Sequence, residues 1–102
     1  MEYRRAQLQR LTQLTGEAAD ASAKRQLAEK LNRLLDARRL SQSEAAELLA
    51  IPQPRVSAIR RYKLKGISLQ RLMQALTDLG QRVQIVVSAT DQPSEARIDV
   101  AA

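Results

Sequence analysis

The 102-residue chain contains no cysteine and no histidine. Their absence excludes disulfides, thiol nucleophiles, the usual zinc sites and histidine acid–base chemistry. Aromatic residues are nearly missing: the chain has Tyr3 and Tyr62 but neither Phe nor Trp. A core must therefore be built from Leu, Ile, Val and Ala, which suits packed amphipathic helices. Glycine and proline number three each, so breaks in regular structure are few and their places are informative. No apolar run approaches the ~20 residues of a membrane span. The start, Met1 to Arg5, leads into no signal-peptide stretch, and a cytoplasmic protein with no membrane partner is expected. The acids are scattered, no glycine loop cradles a phosphate and no nucleophile–base pair can be nominated. Neither catalysis, a cofactor nor a metal site is expected.

The formal charge is +6 and the isoelectric point near 10.5. That balance calls for an anionic partner: nucleic acid, an acidic surface or an acidic protein. The length fits one domain with a modest core.

Along the chain, Leu8, Leu11 and Leu14 with Arg4, Arg5 and Arg10 predict a short basic helix over 2–14. Gly16 is expected to stop it, and Asp20 or Ser22 to cap the next. Leu27, Leu31, Leu34 and Leu35 predict a second helix over 23–39, ending in the dipole-favouring Arg38 and Arg39. Ser41 and Glu44 form a capping-box signature before a short helix with Ala45, Ala46, Leu48 and Leu49 apolar. Pro54 is tolerable only in a first helical turn, so a further helix begins near Gln53 and runs to about Arg61, with Val56 and Ile59 inward. Ser68 caps a helix over 69–79, and Gly80 stands where a terminating glycine belongs. Val83, Ile85 and Val87 then alternate with other residues, which predicts a strand over 82–88. The expected organisation is a 1–22 extension, a 23–88 domain and a mobile tail over 89–102, where Ile98 and Val100 alone hint at another strand.

Two short helices joined by a tight turn and followed by a basic linker are the layout of a helix-turn-helix. From Leu48 to Thr77 there is no acidic residue, while Arg55, Arg60, Arg61, Lys63, Lys65 and Arg71 fall in that stretch. A solvated face usually mixes signs, as residues 24–39 do; a one-sign stretch is the footprint of phosphate contact. On a helical wheel with Val56 and Ile59 inward, Pro54, Ser57, Ala58 and Arg61 lie opposite, with Gln53 and Arg55 on the flanks. Gln53 suits a bidentate pair with adenine and Arg55 one with guanine. Ser57 suits bases or phosphate. Gln42 and Ser43, at a helix start, suit phosphate, and Lys63 adds to the phosphate-facing charge.

The run Leu40 to Leu49, then Ile51 to Ser57 and Arg60 to Lys63, resembles the Xre-type (lambda-repressor-like) helix-turn-helix family. Ile67 to Leu72 and the strand Val83 to Val87 are similar to its HigA-type antitoxin branch. The resemblance covers residues 24–88. It implies a helical bundle, a dimer partly built on the C-terminal strand, and autoregulation of an operon, often beside a RelE/HigB-like toxin. Gln42 matches the family's phosphate-side glutamine, and Gln53, Pro54, Arg55, Ser57 and Ala58 match positions that face DNA. Three residues depart from the pattern. Ala50 replaces the turn glycine, which implies a strained or altered turn. Pro52 replaces the Ser or Thr cap. Tyr62 replaces the glycine after the paired arginines.

The expected architecture is thus mainly α, a lambda-repressor-like bundle whose strand pairs across a homodimer through Val83, Ile85 and Val87. The alternative pairing is with the tail around Ile98. A two-fold dimer would read a palindromic operator in double-stranded DNA with recognition helices roughly 34 Å apart. The expected function is a sequence-specific repressor. The rival reading is a protein-interaction module in which the basic stretch binds an acidic partner without reading DNA.

Overall fold

The computed structural model describes residues 2–95 and 97–101, with the backbone alone for residues 2–19 and Glu95. The order is α1 (Glu2–Ala37), α2 (Gln42–Leu49), α3 (Gln53–Arg60), α4 (Leu69–Asp78) and a short 3-10 turn, Pro93–Glu95. At 1.5 Å per residue α1 is about 54 Å long. It sets the long axis of a molecule measuring 56 × 24 × 17 Å. No helix of the described residues is long and apolar enough to cross a membrane.

The break expected near Gly16 is absent: α1 runs unbroken through 15–22. One interior glycine costs only about 1 kcal/mol relative to alanine. Its neighbours include Ala18, Ala19, Ala21 and Ala23, the best helix formers, and no proline intervenes. An i,i+4 ion pair, Lys24 with Asp20 at 3.5 Å, also spans the expected junction. The stripe Leu8, Leu11, Leu14 lies outside the described side chains.

The core is aliphatic, as the lack of aromatics requires. Leu27, Ala28, Leu31 and Leu35 of α1 meet Ala45, Ala46 and Leu49 of α2, Val56 and Ile59 of α3, and Leu72, Ala75, Leu76 and Leu79 around α4. Helix α1 packs on α4 and α3, and α2 packs on both α3 and α4. Each fully buried Leu, Ile or Val contributes roughly 1.5–3 kcal/mol by leaving water.

The four α-helices of the described residues all end in one hydrogen-bond pattern. The amides of Leu40, Ile51, Lys63 and Gln81 reach back to the carbonyls of Leu35, Ala46, Ala58 and Leu76. This is the Schellman motif, which places the preceding residue in the left-handed region. Those residues are Arg39 (φ 54°), Ala50 (φ 53°), Tyr62 (φ 58°) and Gly80 (φ 78°). Gly80 fits without strain; the other three hold a conformation that costs a residue with a Cβ roughly 1–2 kcal/mol. Of the strained or altered turn expected at Ala50, the structure has the strained form: the ordinary turn, kept at an energetic cost.

The strand expected over 82–88 is not formed: residues 81–90 have no regular structure, and no strand occurs among the described residues. A strand needs a ladder partner, and a single chain offers this segment none. Val83 packs on the core. Ile85, Val86 and Val87 are 76%, 83% and 92% exposed. The chain end returns to α1 instead, where the Val100 amide donates to Gln26 Oε1 at 3.3 Å and Val100 is half-buried against the core.

Candidate nucleic-acid interface

Helix α2 starts as its sequence demands. Ser41 Oγ accepts from the Glu44 amide at 3.0 Å, and Glu44 Oε1 accepts from the Ser41 amide at 3.0 Å. The Ser41 amide, and then its hydroxyl, hold the Glu44 carboxyl below its ordinary value. The box satisfies the amides of Ser41 and Glu44. It leaves those of Gln42 and Ser43, both exposed, as first-turn donors suited to an anion.

The turn from Ala50 to Pro52 then delivers α3. Pro52 occupies the cap position without a side-chain bond, and its carbonyl accepts from Arg55 at 2.9 Å and Val56 at 3.2 Å. Pro54 sits in the first turn, where a missing amide costs nothing. Val56 and Ile59 are buried, as the wheel requires, and anchor α3 in the core. Gln53, Pro54 and Arg55 consequently stand exposed at its N-terminal end.

Further along α3 the side chains are engaged. Arg61 folds back so that its Nη2 donates to Ser57 Oγ at 2.7 Å. With its oxygen accepting, the Ser57 hydroxyl keeps its own proton for an outside acceptor. Ser57 and Ala58 are half-buried, and Ala58 packs on the core rather than standing clear of it. Past the helix, Lys63 and Lys65 are exposed. The Tyr62 ring receives the Arg25 guanidinium at 4.7 Å from its centroid, which ties this loop to α1.

The six cations of the acid-free stretch divide in two. Arg55, Arg61, Lys63 and Lys65 face solvent. Arg60 and Arg71 turn inward. Arg71 donates to the Leu49 carbonyl, closing the C-terminus of α2 from α4. Arg60 Nη1 donates to the backbone oxygen of Asn32 at 3.0 Å and to its Oδ1 at 3.2 Å, and Arg60 Nη2 pairs with Asp36. Asn32 Nδ2 in turn donates to the Ile59 carbonyl at 3.1 Å. Sequence reasoning missed this cluster. Its one signal was Asn32, a polar residue beside Leu31 and one turn from Ala28, on a face otherwise apolar; a buried amide there requires partners. Arg38 also departs from expectation, donating to the Leu79 carbonyl at the end of α4 rather than to its own helix.

The described residues contain no group of three or more acids that could hold a metal. What the surface offers is a helix start with free amides, a second helix presenting an amide and a guanidinium at its tip, and flanking cations.

A family model described as a helix-turn-helix domain matches residues 5–88. A solved structure described as an XRE-family transcriptional regulator is 46% identical, with a TM-score of 0.77 over 84% of this chain and 98% of that one. The chain belongs to the XRE-type helix-turn-helix family. No curated protein matches. The match to the family model begins inside α1, at residue 5.

Proposed function

We propose that this XRE-type chain is a DNA-binding transcriptional regulator that reads sequence with the N-terminal end of α3 and represses its own gene. The observation that carries the reading is the exposed tip of α3: Gln53 and Arg55 project there, within the acid-free stretch Leu48 to Thr77, and the exposed Gln42 and Ser43 open the preceding helix α2. Gln53 and Arg55 take base edges, Pro54 lies along the groove with only the outward edge of the half-buried Ala58 behind it, and Gln42, Ser43, Ser57, Arg61 and Lys63 hold phosphates. The name of the 46%-identical solved relative supports regulation of transcription as the role.

The dimer belongs to the same proposal. Ile85, Val86 and Val87 are apolar, exposed and without a ladder in the single chain. Pairing with the same segment of a second copy satisfies both the backbone and the apolar surface in one two-fold contact. Such a dimer reads a palindrome. A narrower form of the reading makes the chain an antitoxin with a RelE/HigB-like toxin; it rests on the resemblance of Ile67 to Leu72 and Val83 to Val87 to the HigA-type branch.

Fluorescence anisotropy with the duplex upstream of the chain's own gene, against a scrambled duplex over a salt series, tests this. A preference of about 10³ or more, with a steep salt slope, is expected. Equal weak binding to both duplexes would return the basic surface and the exposed 85–87 segment to the rival reading, a module for an acidic protein.

A further inference from the structure

The clasp between α1 and α3 has a geometry that apolar packing alone does not supply. Helix α3 is held in the core by two buried side chains, Val56 and Ile59, and its N-terminus lacks a side-chain cap. Burial is non-directional, so two apolar anchors leave rotation of a short helix weakly fixed. At the other end, Arg60 reaches the Asn32 carbonyl, the Asn32 Oδ1 and the Asp36 carboxylate, while Asn32 returns a bond to the Ile59 carbonyl. These contacts lie on two different turns of α1 and therefore fix both the height and the rotation of α3. A 20° rotation moves side-chain tips about 6 Å from a helix axis by about 2 Å. Hydrogen-bond distances tolerate only about 0.5 Å, so a bidentate base contact would be lost.

The geometry points to Arg60, with Asp36 and Asn32, as a positioning set that fixes the rotation of α3 and thereby base preference, rather than as part of the phosphate-binding charge. This rests on the DNA-reading role proposed above. The charge arithmetic gives the test its sign. Asp36 lies on α1, its side chain 66% exposed. If only bulk charge mattered, removing that negative charge would strengthen binding to every duplex. Loss of positioning does the opposite on the native site.

The full-length Asp36→Asn and Arg60→Ala variants are titrated by anisotropy with the upstream duplex and its scrambled counterpart across salt, beside thermal melts. Both should lower the native-to-scrambled affinity ratio by roughly tenfold, the scale of one displaced bidentate contact, with the salt slope unchanged. Asp36→Asn tightening both duplexes alike, or Arg60→Ala lowering the slope by about one, would overturn the positioning role and make Arg60 a phosphate contact. An unchanged ratio with a lowered melting point would overturn it too, leaving a merely stabilising clasp. Should Arg60→Ala fail to fold, Arg60→Lys decides beside Asp36→Asn, because a single ammonium cannot reproduce the planar fork and the ratio should still fall. A wild-type protein that does not discriminate between the duplexes refutes the DNA-reading role itself. Discrimination that survives Asp36→Asn intact refutes the clasp alone.

Discussion

Ala50 holds φ 53° and ψ 45° at the end of α2, where a glycine would meet no penalty. Replacing it with glycine should stabilise the protein. Relief of the left-handed strain is worth roughly 1–2 kcal/mol. Against that, the more flexible glycine stabilises the unfolded chain by about 0.4–1 kcal/mol. The balance is a gain of about 0.5–1 kcal/mol. For a domain of this size that raises the melting temperature by roughly 3–6 °C. Gly66 supplies the mirror experiment. Its φ is +82° and a Cβ built there meets nothing within 4 Å, so Gly66→Ala probes conformation without a clash. It should lose about 1 kcal/mol. Circular-dichroism melts with urea titrations measure both. A fall for Gly66→Ala with no gain for Ala50→Gly would mean that the Ala50 methyl makes compensating contacts. No change in either would refute the strain account of all three non-glycine helix ends.

Other expectations are shorter. Arg55→Ala should cost about 1–3 kcal/mol on the native duplex and relax base preference; equal losses on native and scrambled DNA would make Arg55 a phosphate contact. Ile85→Lys should weaken dimerisation and palindrome binding together, and a variant that still sediments as a dimer would exclude the 82–88 pairing. Glu44 has its folded pKa lowered, so its stabilising contribution is present above the unfolded value and lost as pH falls through the folded one. Since the Ser41 backbone amide is the larger cause, Ser41→Ala should cost about 1 kcal/mol of stability as a lost cap. NMR titration should nonetheless find the carboxyl only partly restored to its ordinary value; full restoration would assign the shift to the hydroxyl.

Which features were legible in the sequence follows from where their physics resides. The caps Ser41 and Ser68, the proline-led start of α3 and the inward pair Val56 and Ile59 are local, and periodicity or a single residue type declares them. The continuity of α1 was misread because a glycine was weighed as a stop, although its alanine neighbours outvote a penalty of about 1 kcal/mol. The helix end at Arg39 gave no signal of its left-handed backbone, since the residue that would advertise it is absent; at Tyr62 the one pointer was the resemblance, whose pattern has glycine there. The 82–88 alternation describes a side-chain pattern, and a ladder requires a second backbone that one chain's sequence does not contain. Asn32 was visible as an intruder on an apolar face, but its partners Ile59 and Arg60 are 27 and 28 residues away.

The inward arginines change a number that can be measured. Six cations in the acid-free stretch would, if all met phosphates, give a salt slope of about 5 per chain, at roughly 0.9 for each phosphate neutralised. Arg60 and Arg71 are committed to Asn32, Asp36 and the Leu49 carbonyl, and moving either onto DNA would take the donor from the buried Asn32 oxygen or from the Leu49 carbonyl. The four outward cations therefore limit this face to a slope of about 4 per chain and about 7 for a dimer. Within that limit Arg61 is already bonded to Ser57 and must exchange that contact for a phosphate, whereas Lys63 is free to reach one. Lys63→Ala should lower the slope by about one while weakening native and scrambled duplexes alike. A slope above the limit, unaltered by Lys63→Ala, would place the phosphate contacts on the cations of α1 and move the DNA-binding face away from α2 and α3.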